Sequence, residues 1–254
     1  MVRVISFHAK PLISVVIPYN EDRGFLNCAV GSVALQSYRR IELILVHADK
    51  SVGKNINTGV MKARGSWIKI LAEDDLLPPD SLKILSKNIK DCDWIVANAW
   101  NFGKARWTCE FIGQVPTLDG MLTKNQVHGG AVLYNKRLFY ETGGFDETLV
   151  TAEEYDFHLL LLAKEYVVKY VPEIVYHYRV HDTNKYINMR DKLPNERYQY
   201  VNYFIKARYD QRFNHVITRP GLLKPGYKFS AKPDVPGPGA DSPKGESSEG
   251  KECK

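Results

Sequence analysis

Cysteine is scarce and scattered. The 254-residue chain has four, Cys28, Cys92, Cys109 and Cys253, far apart and without a CxxC pair. That spacing argues against a zinc site or a disulfide framework and for a reducing compartment. No apolar run approaches the roughly 18–20 residues of a membrane span. No basic segment leads into an apolar core at the N-terminus, as a secretory signal would require. A soluble, cytoplasmic protein without an integral membrane segment is therefore expected. No GxGxxG follows a strand, which disfavours a dinucleotide oxidoreductase. The net charge is +6, yet no dense Lys/Arg run is interleaved with aromatics, so nucleic acid is not an expected partner. An anionic small substrate or an anionic lipid surface would also suit a basic chain.

What is present reads as a globular α/β chain, 44% hydrophobic and 11% aromatic. Ile13 to Ile17 is a buried strand ended by Pro18. Phe25, Cys28, Ala29, Ser32, Val33 and Gln36 have helical spacing. Ile41 to Val46 is a second strand, Asn55 to Ala63 a helix ended near Gly65, and Trp67 to Leu71 a third strand. Leu82, Leu85 and Ile89 line a helix after Pro79, and Trp94 to Ala97 is a fourth strand. Val132 to Tyr134 and Tyr166 to Val171, closed by Pro172, are further strands. Helices are expected from Lys136 to Glu141, Glu153 to Lys164 and Lys192 to Arg212. This alternation predicts a mostly parallel central sheet with helices on both faces. Residues 1–215 form that domain. Residues 216–254, rich in Pro, Gly, Ser and charge, are expected to be a disordered tail or a linker to a further domain.

The most informative stretch is Glu73-Asp74-Asp75, behind the strand Trp67–Leu71 and ahead of Pro78-Pro79. Three carboxylates at a strand tip repel one another and need a neutraliser. A divalent cation holding a diphosphate would serve, because hard oxygen ligands suit Mg²⁺ or Mn²⁺. A solvated acidic turn capping the next helix is the plainer alternative. Ligands on open α/β sheets bind at the carboxyl ends of strands, and Asn20, Asp49 and Glu73 to Asp75 all fall there.

Five segments in order carry a resemblance. They are Ser14 to Glu21, Asn57 to Gly65, Glu73 to Asp80, Gly143 to Glu147 with Ala152 to Asp156, and Tyr178 to His181. Together they resemble the inverting glycosyltransferases of family 2, with a GT-A fold, over roughly residues 12–185, and in particular those of large algal viruses. The resemblance implies that a hexose moves from a nucleotide-diphosphate sugar to a glycan hydroxyl. The donor would be UDP-linked, as in UDP-glucose or UDP-rhamnose, with Mn²⁺ or Mg²⁺ as cofactor, beside a small acceptor-side β element. Three positions depart from the family pattern. Val46-His47-Ala48-Asp49 stands where an Asp pair is common, Ala72 replaces the first metal-motif Asp, and Glu154 replaces the usual catalytic Asp.

Direct displacement needs one base and a stabilised leaving group. The resemblance makes Glu154 the base, with Glu153 and Asp156 as the neighbours open to confusion with it. Asp75 becomes the metal ligand, with His181 as a further ligand and Glu73 assisting through water. His177 is the rival imidazole. Asp74 suits ribose hydroxyls or the metal shell. Pro18, Tyr19, Asn20, Glu21 and Asn57 would line the nucleoside pocket, and Asp49 would read the base or simply make a turn. Lys54 would meet phosphate. The backbone at His128-Gly129-Gly130 would approach the sugar or acceptor, and Trp100 and Trp107 would stack on an acceptor or pack in the core. A sugar-nucleotide pyrophosphorylase would need a Gly-rich loop after the first strand, where Pro18-Tyr19-Asn20-Glu21 stands. A non-catalytic nucleotide-sugar or glycan-binding module would be expected to lack Asp75 or Glu154, and both are present.

Overall fold

The computed structural model describes residues 10–20, 22–48, 51–109, 113–149, 151–182, 184, 205–206 and 208–209. The strands are β1 (Ile13–Pro18), β2 (Ile41–Val46), β3 (Trp67–Ile70), β4 (Trp94–Gly103), β5 (Trp107–Cys109), β6 (Val132–Asn135) and β7 (Val168–Val180). The helices are α1 (Leu26–Ala34), α2 (Val52–Lys62), α3 (Ser81–Lys87), α4 (Leu118–Thr123), α5 (Arg137–Thr142) and α6 (Glu153–Ala163). A 3₁₀ turn, Gly129–Ala131, leads into β6.

All seven strands form one sheet in the order β2-β1-β3-β6-β4-β5, with β7 also on β4. β1, β2 and β3 are mutually parallel. β6 runs against both β3 and β4, so β4 shares the direction of β3, and β7 is parallel to β4. Five strands thus point one way, and only β5 and β6 oppose them. The mostly parallel expectation holds for this reason, although half of the ladders are antiparallel.

Period-two alternation divides the core into two layers. Val16, Ile68, Ile70, Trp94, Val96, Val132 and Tyr134 face α2, α5 and α6. Ile13, Val15, Ile17, Trp67, Leu71, Ile95, Ala97 and Leu133 face α1 and α3. At Gly59 an added Cβ would lie 2.4 Å from a Val16 methyl. Only glycine lets α2 lie this close to β1.

Several elements differ from the sequence reading. α2 starts earlier than Asn55, because the Ser51 side chain caps it by accepting from the Lys54 N–H at 3.3 Å. β4 continues to Gly103, and β7 runs unbroken through Pro172. β5 and α4 were not foreseen. Cys28 is disulfide-bonded, whereas Cys92 is free. The expectation of reduced cysteines therefore fails at Cys28, since sequence spacing says nothing of spatial approach. Most of the expected 192–212 helix, and residues 216–254, lie outside the described residues. Among the described residues no helix is long and apolar enough to cross a membrane.

Candidate active site

β3 carries Glu73, Asp74 and Asp75 past its carboxyl end, beside the ends of β1 and β2. The tip is pinned to β7, where Leu76 and His177 exchange backbone hydrogen bonds of 3.0 and 2.9 Å. Asp75 is 2% exposed. It accepts from the Tyr176 hydroxyl at 2.6 Å and from the Arg179 N–H at 2.7 Å. The same Tyr176 oxygen accepts from the Ala72 N–H at 3.2 Å. Arg23 donates to Glu73 at 2.7 Å and to Asp74 Oδ2 at 3.0 Å. His181 Nε2 lies 3.0 Å from that same Asp74 oxygen. Arg179 donates through Nε to the Asp74 carbonyl at 2.8 Å, its guanidinium stacked over Phe25 and Phe102.

The chain therefore supplies neutralising charge that the sequence reading assigned to a metal alone. Burial, then the charge of Asp74, pushes the Asp75 carboxyl well up. Burial also opposes ionisation of Asp74, but the His181 contact and Arg23 outweigh it and hold Asp74 below its ordinary value. Burial raises Glu73. Carboxylates and an imidazole are donors suited to a hard divalent cation. Among the described residues no three such groups converge on one point. An ion held by Asp74, Asp75 or His181 would draw the rest of its shell from phosphate and water, the usual arrangement for Mg²⁺.

Behind the tip lies Lys69, the lone charge in an apolar strand, fully buried. It donates to the carbonyls of Gly130, Ile70 and Val132 and sits 4.8 Å above the Tyr176 ring. Burial lowers its pKa to about 7. A Cβ on Gly130 would strike the Tyr176 ring at 2.3 Å, and one on Gly129 would meet the Glu154 side chain at 3.1 Å. The turn thus fits between the residue that holds Asp75 and the residue expected to act as base. His128 accepts from the Gly130 N–H through Nδ1 at 3.2 Å and packs on Tyr176 and Tyr178. Burial and Lys69 lower its pKa, leaving a neutral imidazole at pH 7.

Glu154 stands in the first turn of α6. Ala152, the residue before that helix, has φ 60°, a left-handed conformation that costs a non-glycine residue energy. Its two rivals are committed elsewhere or hidden. Asp156 is fully buried and accepts from Arg208 at 2.8 Å and from the Tyr209 hydroxyl at 2.9 Å. Arg208 also reaches Asp146 at 2.9 Å. Glu153 is 4% exposed, whereas Glu154 is half-buried.

At the ends of β1 and β2, Tyr19 stacks on exposed His47 with 4.9 Å between ring centroids. Asn20 accepts from Asn55, whose side chain in turn accepts from the Ala48 N–H, at 3.1 and 3.3 Å. Pro18 ends β1 beside them. Asn57 is turned away: it bonds both backbone groups of Phe145, at 2.9 Å each, and Glu147 at 3.0 Å. Glu21 and Asp49 lie outside the described residues. The sequence reading missed Arg23, Tyr176 and Arg208. Lys69 carried a legible signal, a single lysine inside Trp67–Leu71.

No family model matches the chain. It is 26% identical to an uncharacterized glycosyltransferase of Rickettsia typhi, over 72% of this chain and 69% of that protein. It is 25% identical to one of Rickettsia bellii, over 63% of this chain. The match spans only 29% of the length of that relative. Both relatives are bacterial. Among solved structures, a mannosyltransferase from Pyrobaculum calidifontis in complex with GDP-Man and Mn²⁺ aligns with a TM-score of 0.58 at 15% identity. That alignment covers 80% of this chain and 65% of the other. S. aureus TarS in complex with UDP-GlcNAc aligns with a TM-score of 0.54 at 16% identity, covering 68% and 59% respectively. At such identities the likeness establishes the fold, which is the GT-A-like α/β architecture of these transferases.

Proposed function

We propose that the chain is a glycosyltransferase that moves a hexose from a nucleotide-diphosphate sugar to a glycan hydroxyl with inversion, as in family 2. The observation that carries this reading is the join between two carboxylate stations. The buried tip Glu73–Asp75 is tied through Tyr176 to the Gly129–Gly130 turn, and that turn rests on Glu154. Tyr19, His47 and Asn20 flank the tip on the side suited to a nucleoside. The UDP-GlcNAc of TarS and the GDP-Man of the mannosyltransferase support a nucleotide-sugar donor. We favour a UDP-linked one.

In the reaction the acceptor oxygen bonds to the anomeric carbon as the carbon–phosphate-oxygen bond breaks. The acceptor proton passes to the Glu154 carboxylate, and the nucleoside diphosphate leaves with the bonding electrons. Arg23 and Arg179 place positive charge at the strand tip where the diphosphate charge grows. Asp74, Asp75 and His181, with Glu73 through water, are the groups that would hold Mn²⁺ or Mg²⁺, which supplies Lewis-acid stabilisation of the leaving diphosphate.

The test is release of nucleoside diphosphate from a panel of UDP- and GDP-sugars, with and without glycan acceptor, alongside calorimetric binding of UDP with and without Mn²⁺. At least one donor should be turned over, and EDTA should abolish both turnover and tight UDP binding. A panel with no turnover overturns the transferase reading. Undiminished turnover and binding in EDTA overturn the metal assignment alone.

A further inference from the structure

The sheet face that packs against α1 and α3 carries, beside the Gly129–Ala131 turn, a row of side chains that the donor-side chemistry leaves unused. In the ladders, Asn101 is the register partner of Trp107 on β5 and of Tyr178 on β7. Register partners project from the same face of a sheet, so Trp107, Asn101 and Tyr178 form one line across three strands. The His128 ring meets Tyr178 edge-on at 5.5 Å, and Gly129, the next residue, lies against Glu154. The line therefore runs from the β4–β5 hairpin to the turn that rests on the proposed base.

Two members of this row are unusual. Trp107 is 49% exposed, a large flat apolar surface left in water. Asn101 is 3% exposed, and its Oδ1 finds no hydrogen-bond partner among the described residues. A buried amide oxygen without a donor is destabilising, a cost that a bound donor group would remove. An aromatic face for a C–H surface and an acceptor for a hydroxyl are complementary to a pyranose ring. The row itself carries no charged side chain, which fits a neutral sugar.

We infer that this row is a saccharide subsite for the acceptor, and the inference rests on the transferase reading for the role of Glu154. A sugar ring lies on Trp107 and donates a hydroxyl hydrogen bond to Asn101 Oδ1. The neighbouring sugar then extends past Tyr178 and His128 and presents its hydroxyl to Glu154.

The probes are cellobiose, maltose and N,N′-diacetylchitobiose, titrated into the ¹⁵N-labelled full chain while the indole N–H signal of Trp107 is followed. Trp107→Phe assigns that signal. At least one disaccharide should shift it, and UDP should not. In Asn101→Leu the affinity for that disaccharide should fall about 3–10-fold, one hydrogen bond's worth, while the melting temperature stays equal or rises. That combination separates a ligand-binding asparagine from a structural one. A row untouched by all three disaccharides overturns the subsite, even where donor turnover upholds the transferase reading. So does unchanged affinity in Asn101→Leu. A disaccharide that shifts Trp107 in a chain that turns over no donor upholds saccharide binding here and overturns the transferase reading.

Discussion

Two acidic clusters in this molecule look alike in sequence and differ in physics. Glu73, Asp74 and Asp75 sit at a strand tip beside cations that reach them from the edge of the site. The Arg23 side chain, for example, is 31% exposed. Asp146 and Asp156 are held by Arg208, whose side chain is fully buried. The first cluster is buried but draws its cation from the edge of the site, where an incoming diphosphate can compete for it. The second is sealed and has no such exchange. A buried ion pair of that kind fixes geometry and is costly to break. What divides the acids of the two motifs is therefore access: within Glu153 to Asp156, Glu154 alone among the acids is half-buried while its neighbours are enclosed.

The sharpest way to break this comparison is to remove single carboxylates of the tip and of the first turn of α6 while keeping their volume. Glu154→Gln should cut transfer about 10²–10⁴-fold, the range of a lost general base, and leave UDP binding intact. Asp75→Asn should reduce transfer and also weaken UDP binding in Mn²⁺. Glu153→Gln should be milder than Glu154→Gln. Transfer at wild-type rate by Glu154→Gln, with Glu153→Gln inactive, would move the base by one residue and undo the distinction drawn from burial.

A stability measurement tests the sealed cluster. Arg208→Met leaves two buried carboxylates without their cation and should cost about 3–5 kcal/mol, read as a fall in denaturation midpoint at unchanged slope. Adding Asp146→Asn and Asp156→Asn should restore part of the loss. Deletion of residues 232–254, which retains Arg208, should leave the melting temperature and transfer rate nearly unchanged. A large loss on that deletion would show that the anchoring contacts of the C-terminal segment do not end at Arg208 and Tyr209.

These tests also bear on what was legible in advance. β1, β2 and β3 were readable because each is a short apolar run bounded by turn residues. The far half of β4 was not, because Asn98 and Asn101 interrupt the apolar pattern. Pro172 looked like a strand end, yet among the strands β7 pairs with β4 alone, and on an edge strand a proline costs no ladder bond. The register shifts at Asn98, whose side chain donates to the Pro172 carbonyl at 2.8 Å. That bulge belongs to tertiary structure and leaves no local mark. At the site, the acids could be found from their clustering, but their partners could not. Tyr176 and Arg179 lie about a hundred residues from Asp75 in sequence, and Arg23 about fifty from Glu73. Asp156 showed the same first-turn position as Glu154, and its burial against Arg208 and Tyr209 separates the two roles.

Lys69, which joins the acid tip to the turn beneath Glu154, gives the comparison a pH dependence. Burial lowers its pKa in the folded chain from the ordinary 10.5 to about 7. The unfolded chain therefore binds the proton more tightly than the folded one. Where the unfolded state holds more protons, stability rises with pH. Wild type should gain stability relative to Lys69→Met as pH increases from about 7 towards 10, and the difference should level off below 7, where Lys69 is protonated in both states. Chemical denaturation of the two proteins across that range gives the slope directly. A flat difference would mean that the three carbonyls around Lys69 hold its ammonium charged throughout the range. The lysine would then act as a permanent cation behind Tyr176, and the tip would resemble the sealed Arg208 cluster more than the open one.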